Sequence, residues 1–202
     1  MSTAQPARTL LALTGLLIFS LWLPIAAITY LPGWHTLSCQ WHERCADYDI
    51  SNGDGAAQER ITELRHFMQH RGTLSAFDWT RKERAHLAEV RTLLDRLLVL
   101  AMLGALVFLH ADAATRARVA LWSMLGVAAC IAVLPFFTTF WREVFHPLLF
   151  DNNNWRNYPE DTSWSIMPRL YFKYTTALVI GSAVTLCALA FWRARRELRA
   201  GG

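Results

Sequence analysis

The chain has 202 residues, 53% of them hydrophobic and 12% aromatic, with nine tryptophans and only 18% charged residues. A soluble domain carries about a quarter charged residues, so the composition excludes an ordinary water-soluble domain. The formal net charge of +4 calls for no nucleic-acid partner, because basic residues flanking apolar runs are what membrane topology demands.

Four runs, 10–31, 97–109, 119–140 and 174–192, contain no charged residue. A bilayer core of ~30 Å needs about 20 helical residues. Runs one, three and four meet that length, and run two extends a helical pattern lying upstream of it. The expected fold is an all-α membrane protein with four transmembrane helices and a mainly helical extracytoplasmic domain between helices 1 and 2. The first run is longer than the apolar stretch of a signal peptide, has one Arg before it and no small-residue cleavage site after it. It is expected to stay as a membrane helix.

The segment 32–96 follows. Cys39 and Cys45 are expected to form a local disulfide, since an outward loop faces an oxidising space in many bacteria. A metal site built from His35, Cys39, His42 and Cys45 is the alternative, although the spacing matches no standard zinc signature. "SNGDGAA" (51–57) reads as a turn. An amphipathic helix then carries Ile61, Leu64 and Met68 on one face, with Gly72 placed to stop it. His66 and His70 lie four apart on this helix, and with no third ligand evident they read as a solvated face.

Thr80 and Glu83 form a capping box. From there a helix can run through Leu109 with only Gly104 inside. His86 sits two to three turns above the membrane run, with Glu89 one turn further along the same face. Asp95 and Arg96 approach lipid depth, where charges turn to the protein interior or a wet cavity. Cys130 and Cys187 fall in apolar runs and read as inert small residues. The third helix is expected to end near His146, because Pro147 restrains that residue away from α geometry. "DNNNW" and "NYPED" are turns, and "RLYFKY" after Pro168 is an aromatic, basic collar suited to the headgroup level.

The resulting organisation is an N-terminus and first helix (1–31), an outer segment (32–96), helix 2 (97–109), an inner loop (110–118), helix 3 (119–140), an outer loop (141–173), helix 4 (174–192) and a tail (193–202). The pieces 1–9, 110–118 and 193–202 hold seven of the 20 Lys and Arg, about twice the density of the remaining pieces. Both termini are therefore expected in the cytoplasm, with the two long segments outside.

"ERAHLAEV" (83–90), then two membrane runs, then "FHPLLFDNNNW" (145–155), then Pro168 ahead of "YF", resembles the lipoprotein intramolecular transacylase family, bacterial four-helix membrane proteins. The likeness covers most of the chain from about residue 78, and the topology extends it to helix 1. It implies transfer of the sn-2 acyl chain of a diacylglyceryl-cysteine lipoprotein to the α-amine of the same cysteine, giving the lyso form. It implies no cofactor, a diacylated lipoprotein and membrane lipid as partners, and residence in the bacterial inner membrane with the site at the outer leaflet. The family's two functional histidines fall on His86 and His146. The acid between the tryptophan and the proline is loosely matched by Asp161, and Glu89 stands where the family has a shorter acid. The cysteine pair has no place in the family pattern.

The chemistry asks for a base at the amine and an acid at the departing glyceryl oxygen, and histidine can serve as either. Tyr158, Asn153 and Arg142 are candidate donors to an oxyanion, and Trp155 is a candidate substrate contact. Two other functions fit parts of the sequence: a membrane thiol oxidoreductase using the outer cysteine pair, and a non-catalytic membrane scaffold.

Overall fold

Uncharged runs of this length satisfy their own backbone hydrogen bonds only as helices, and the computed structural model describes residues 4–31 and 33–200 accordingly. Residues 1–3 and 201–202, the tips of the expected N-terminal stretch and tail, and Pro32 lie outside the described residues. The helices are α1 (Ala4–Tyr30), α2 (Trp34–Trp41), α3 (Arg44–Asn52), α4 (Ala56–Met68), α5 (Arg81–Leu109), α6 (Ala113–Ala129), α7 (Phe137–Phe140), α8 (His146–Leu149), α9 (Thr162–Ile166) and α10 (Arg169–Ala200). A 3₁₀ stretch over Cys130–Phe136 contains Pro135 and joins α6 to α7. A π turn over Trp141–Phe145 joins α7 to α8. Four helical stretches, Ala7–Tyr30, Arg81–Leu109, Ala113–Leu149 and Arg169–Ala200, are long and apolar enough to cross a membrane.

The chain divides into two compact units. One comprises Met1–Ile25, Leu93–Leu134 and Ala177–Gly202. Its interior is built from small and medium side chains: Ala12, Leu16, Phe108, Val119, Ala120 and Cys187 form one cluster, and Val127, Ile180 and Ala183 another. A methyl group added to Gly15 would stand 2.3 Å from Cα of Gly104, and one added to Gly104 would stand 2.2 Å from Cα of Gly15. The two helices thus meet backbone to backbone, the close approach that small residues permit where lipid supplies no hydrophobic drive between helices. Trp22 donates its indole N–H to the Leu94 carbonyl at 3.1 Å. Arg116 pairs with Glu197. Asp112 caps α6 by accepting from the N–H and hydroxyl of Thr115, and those bonds hold its carboxyl below the usual range. Leu103, Leu106, Leu109, Leu125, Leu189 and Trp192 point outward and are exposed.

The other unit comprises Ala26–Thr92 and Pro135–Thr176. Cys39 and Cys45 are bridged, with Cα atoms 5.2 Å apart, and the disulfide ties α2 to α3. Their sulfurs are thereby removed from any metal set, and Nε2 of His35 lies 2.9 Å from the Tyr171 hydroxyl. Burial pushes the His35 imidazole down to about 4. Trp34 donates to Thr175 Oγ1 at 2.7 Å, and the Trp41, His42 and Tyr174 rings stack. These contacts fasten α2 to the first turns of α10. On α4, Ile61, Leu64 and Met68 are buried as the periodicity requires, joined by Ala57 and Phe67.

Two local expectations need correction. The stop at Gly72 comes earlier: α4 ends at Met68, and His70 takes the left-handed conformation with φ 59°. The N–H of His70 bonds to the Phe67 carbonyl and that of Arg71 to the His66 carbonyl. That is the paired closure of a Schellman motif, in which the last carbonyls find donors without glycine. His146, in turn, is helical, with φ −70° and ψ −46°, despite the proline after it. Pro147 removes one N–H and would press its ring on the carbonyl four residues back. The wider π turn immediately before it accommodates both, because carbonyls there are answered five residues on.

Candidate active site

The capping box at the head of α5 does more than start a helix. One carboxylate oxygen of Glu83 accepts from the N–H and hydroxyl of Thr80, both at 2.9 Å. The other accepts from the N–H and hydroxyl of Ser163 at 2.7 and 2.6 Å, so the box reaches across to α9. Glu83 is 2% exposed. Beside it Asp161 accepts from Lys82 Nζ at 2.6 Å, the Tyr158 N–H at 2.6 Å and the Thr80 hydroxyl at 3.1 Å. Thr162 donates to the Asp78 carbonyl. Each buried donor left without its acceptor would cost about 1–3 kcal/mol, so this network fixes the segment 158–163 on the first turn of α5.

One turn further, His86 meets the edge of Phe150 with ring centroids 4.8 Å apart. Its Nδ1 lies 3.6 Å from Oε2 of Glu89, slightly too long for a hydrogen bond. Both atoms are buried with no hydrogen-bond partner among the described residues. The other oxygen, Oε1, accepts from the Asn152 amide at 2.9 Å.

His146 is 4% exposed. The Trp141 carbonyl accepts its backbone N–H and faces its ring Nδ1 at 2.8 Å. A carbonyl can only accept, so Nδ1 carries the proton and Nε2 presents a lone pair. The same π turn that tolerates Pro147 therefore also sets the imidazole. Trp155 stacks on the ring at 4.5 Å, Trp141 meets it edge-on at 4.7 Å and Phe145 at 5.4 Å. The Trp155 indole N–H is in turn held by the Asn152 carbonyl at 2.9 Å.

His86 and His146 stand with ring centroids 5.8 Å apart. The arrangement is a pair of imidazoles walled by aromatic rings, with a carboxylate behind one and a carbonyl behind the other. It is suited to taking and returning protons where water is scarce.

Of the residues singled out in the sequence, His86, His146, Glu89 and Trp155 come together. Asp161 belongs to the Lys82 and Thr80 network. Tyr158 is 48% exposed, with its ring 4.2 Å from Lys82 Nζ. Arg142 is exposed beside Glu143, and the carbonyl of exposed Asn153 accepts from the Arg156 N–H. Among the described residues none of these four bonds to, pairs with or stacks on either imidazole. His66 and His70 are exposed. Asn152 and Phe150 enter the site without having been singled out for it, and Trp141 packs on His146 itself. For Trp141 a signal exists in its five-residue spacing from His146, which is the π repeat. For Asn152 there is none, since it stands among identical neighbours.

A model of the lipoprotein intramolecular transacylase Lit family matches residues 10–172. No curated protein sequence matches the chain. Among solved structures the chain is similar to the membrane integral lipoprotein intramolecular transacylase Lit from Bacillus cereus. The TM-score is 0.78 and the identity 14%, covering 99% of this chain and 100% of that one. Variants of the same Bacillus cereus protein in which a histidine is replaced by alanine or by arginine give TM-scores of 0.74 and 0.71, each at 14% identity. They cover 97% and 98% of this chain and 94% of theirs. At that identity the likeness is one of fold.

Proposed function

Since the chain belongs to the family of lipoprotein intramolecular transacylases, we propose that His86 and His146 are the residues that carry the transfer. The protein is a multi-pass membrane acyltransferase acting within one lipoprotein molecule. In the reaction assigned here, the neutral α-amine of the lipid-bearing cysteine attacks the sn-2 ester carbonyl. An amide N–C bond forms and the bond between the acyl carbon and the glyceryl sn-2 oxygen breaks. The proton lost by the amine passes to a histidine Nε2, and the glyceryl oxygen receives one as it leaves.

The observation that carries this proposal is the imidazole pair at 5.8 Å. His146 Nδ1 is bonded to the Trp141 carbonyl, which leaves its Nε2 to exchange protons, and His86 Nδ1 lies 3.6 Å from the Glu89 carboxylate. Amine and ester belong to one molecule, so no acyl-enzyme is required. Holding them in a near-attack geometry contributes about 7–11 kcal/mol.

The substrate is anchored by its own acyl chains and enters sideways from lipid. In support, the helical stretch that bears His146 also bears exposed Val144, Leu148 and Leu149, an apolar flank beside the site. The segment 141–170, with Trp141, Trp155 and Trp164, forms part of a roof over the reacting groups. Both termini lie in the cytoplasm and the site opens to the outer leaflet of the bacterial inner membrane, as the density of basic residues favours. Mass spectrometry of the N-terminal peptide of a co-expressed lipoprotein tests the proposal. Conversion of diacylglyceryl cysteine to N-acyl-S-monoacylglyceryl cysteine is expected with the wild type and not with either histidine variant. Unchanged diacylglyceryl cysteine with the wild type would falsify it.

A further inference from the structure

Asn152 is joined to both halves of the imidazole pair. Its side-chain amide donates to Glu89 Oε1 at 2.9 Å, and the other oxygen of that carboxylate is the one 3.6 Å from His86 Nδ1. Its main-chain carbonyl accepts the Trp155 indole N–H at 2.9 Å, and the Trp155 ring lies on His146. Its Oδ1 accepts the N–H of Asn154 at 2.9 Å, closing an Asx turn. That turn commits the oxygen of the amide locally and leaves its NH₂ for the carboxylate, which can only accept. Glu89 is half-exposed on a flexible stem, and Oε2 has no hydrogen-bond partner among the described residues. Without the amide, nothing in this set of bonds keeps the carboxylate turned toward His86.

We propose that Asn152 is a positioning residue for the acyl transfer. Its side chain holds Glu89 against His86, and its main chain holds Trp155 against His146, so one turn orients both imidazoles. This rests on the transacylase reading of the same site. Asn152 touches no reacting atom. The contribution of its side chain passes through Glu89, and that makes it separable from a merely structural role.

The test uses the full-length enzyme in lipid nanodiscs with a synthetic diacylglyceryl-cysteine lipopeptide, following the lyso product by mass spectrometry. Asn152→Ala is expected to lower kcat about 10- to 100-fold, the scale of a misplaced catalytic group, with KM little changed. In a Glu89→Gln background the same change should have little further effect. Asn152→Asp sets two carboxylates against each other and should be slower still. Combining Asn152→Asp with Glu89→Gln restores one donor and one acceptor, with the amide oxygen introduced on α5 again facing His86, and should recover about tenfold or more of that loss. Equal losses from Asn152→Ala with and without Glu89 overturn the proposal. So does a swapped pair no faster than Asn152→Asp alone, a comparison that decides the matter if Asn152→Ala does not accumulate as folded protein. A wild type that forms no lyso product overturns the transacylase reading and this proposal with it. An active wild type beside a fully active Asn152→Ala overturns only the role of Asn152.

Discussion

His86 and His146 come from different helices, far apart in the chain, and their rings stand 5.8 Å apart at an angle of 41°. Neither ring is held by the other. His86 has a carboxylate at its back and His146 a main-chain carbonyl. The two rings are therefore placed separately, and on the proposed mechanism each should be indispensable. His86→Ala and His146→Ala are both expected to reduce lyso-lipoprotein formation by at least about 10²-fold, with the proteins still folded by thermal unfolding in detergent. His66→Ala, on the exposed face of α4, should leave the rate near wild type. Near-normal conversion by both histidine variants would exclude the assignment.

Glu83 is expected to matter for stability first and for activity as a consequence. Replacing it by Ala strands the Thr80 N–H and the N–H and hydroxyl of Ser163, while the Thr80 hydroxyl keeps Asp161. The expected cost is about 3 kcal/mol or more, read as a lower melting temperature together with slower acyl transfer. A melting temperature equal to wild type would show that the network is not under load.

Gly104→Leu should prevent stable packing, because the first added carbon already meets the backbone of Gly15, and backbone cannot swing aside. Gly126→Ala is the matched control. A methyl there meets nothing within 4 Å, and alanine is favoured over glycine in a helix interior by about 1 kcal/mol. Size-exclusion profiles of the two purified variants check the contrast.

His35 makes acid stability predictable in sign. Burial depresses its folded pKa to about 4 from the ordinary 6.5, so between those values the unfolded chain binds the extra proton. Its contribution to stability is intact above pH 6.5 and is lost progressively as pH falls to about 4. His35→Gln keeps an acceptor for the Tyr171 hydroxyl but does not titrate. The variant's melting temperature should fall less steeply than wild type across that window, and parallel curves would refute the assignment.

The Cys39–Cys45 bridge closes a short loop, and the entropy of closing it corresponds to about 2 kcal/mol. The Cys39→Ser, Cys45→Ser double variant is expected to melt lower yet keep measurable acyl transfer. A well-folded double variant with no activity at all would point to redox chemistry at the pair.

The elements of the fold were legible wherever the signal was local. An uncharged run must hydrogen-bond to itself in lipid, so the four long apolar helices follow from composition and length alone. The Thr80–Glu83 box marks the head of α5 because both partners lie within one turn. Ile61, Leu64 and Met68 reveal their buried face by spacing. His86 and His146 stand out only through the resemblance to the family, in motif and order, because spacing alone makes His86 a surface histidine on a charged helix.

Most of what the sequence left open depends on partners distant in the chain. Pro147 is the exception: it argues against a helical His146, and a local π turn closed by the Trp141 carbonyl reverses that preference. Gly104 reads as a tolerated interruption of a helix until Gly15 stands against it. Glu83 reads as a cap, yet half of its bonds go to Ser163. Three consecutive asparagines are equivalent in the sequence. Asn152 differs from its neighbours because its amide reaches a carboxylate on α5 while its carbonyl takes the Trp155 indole. Periodicity and capping act over a few residues and are written in the chain itself. Both imidazoles likewise have their Nδ1 neighbours within five residues, Glu89 for His86 and the Trp141 carbonyl for His146. That the two rings meet, and that Asn152 and Trp155 close on them, is decided by contacts between segments far apart in the chain, which no local pattern encodes.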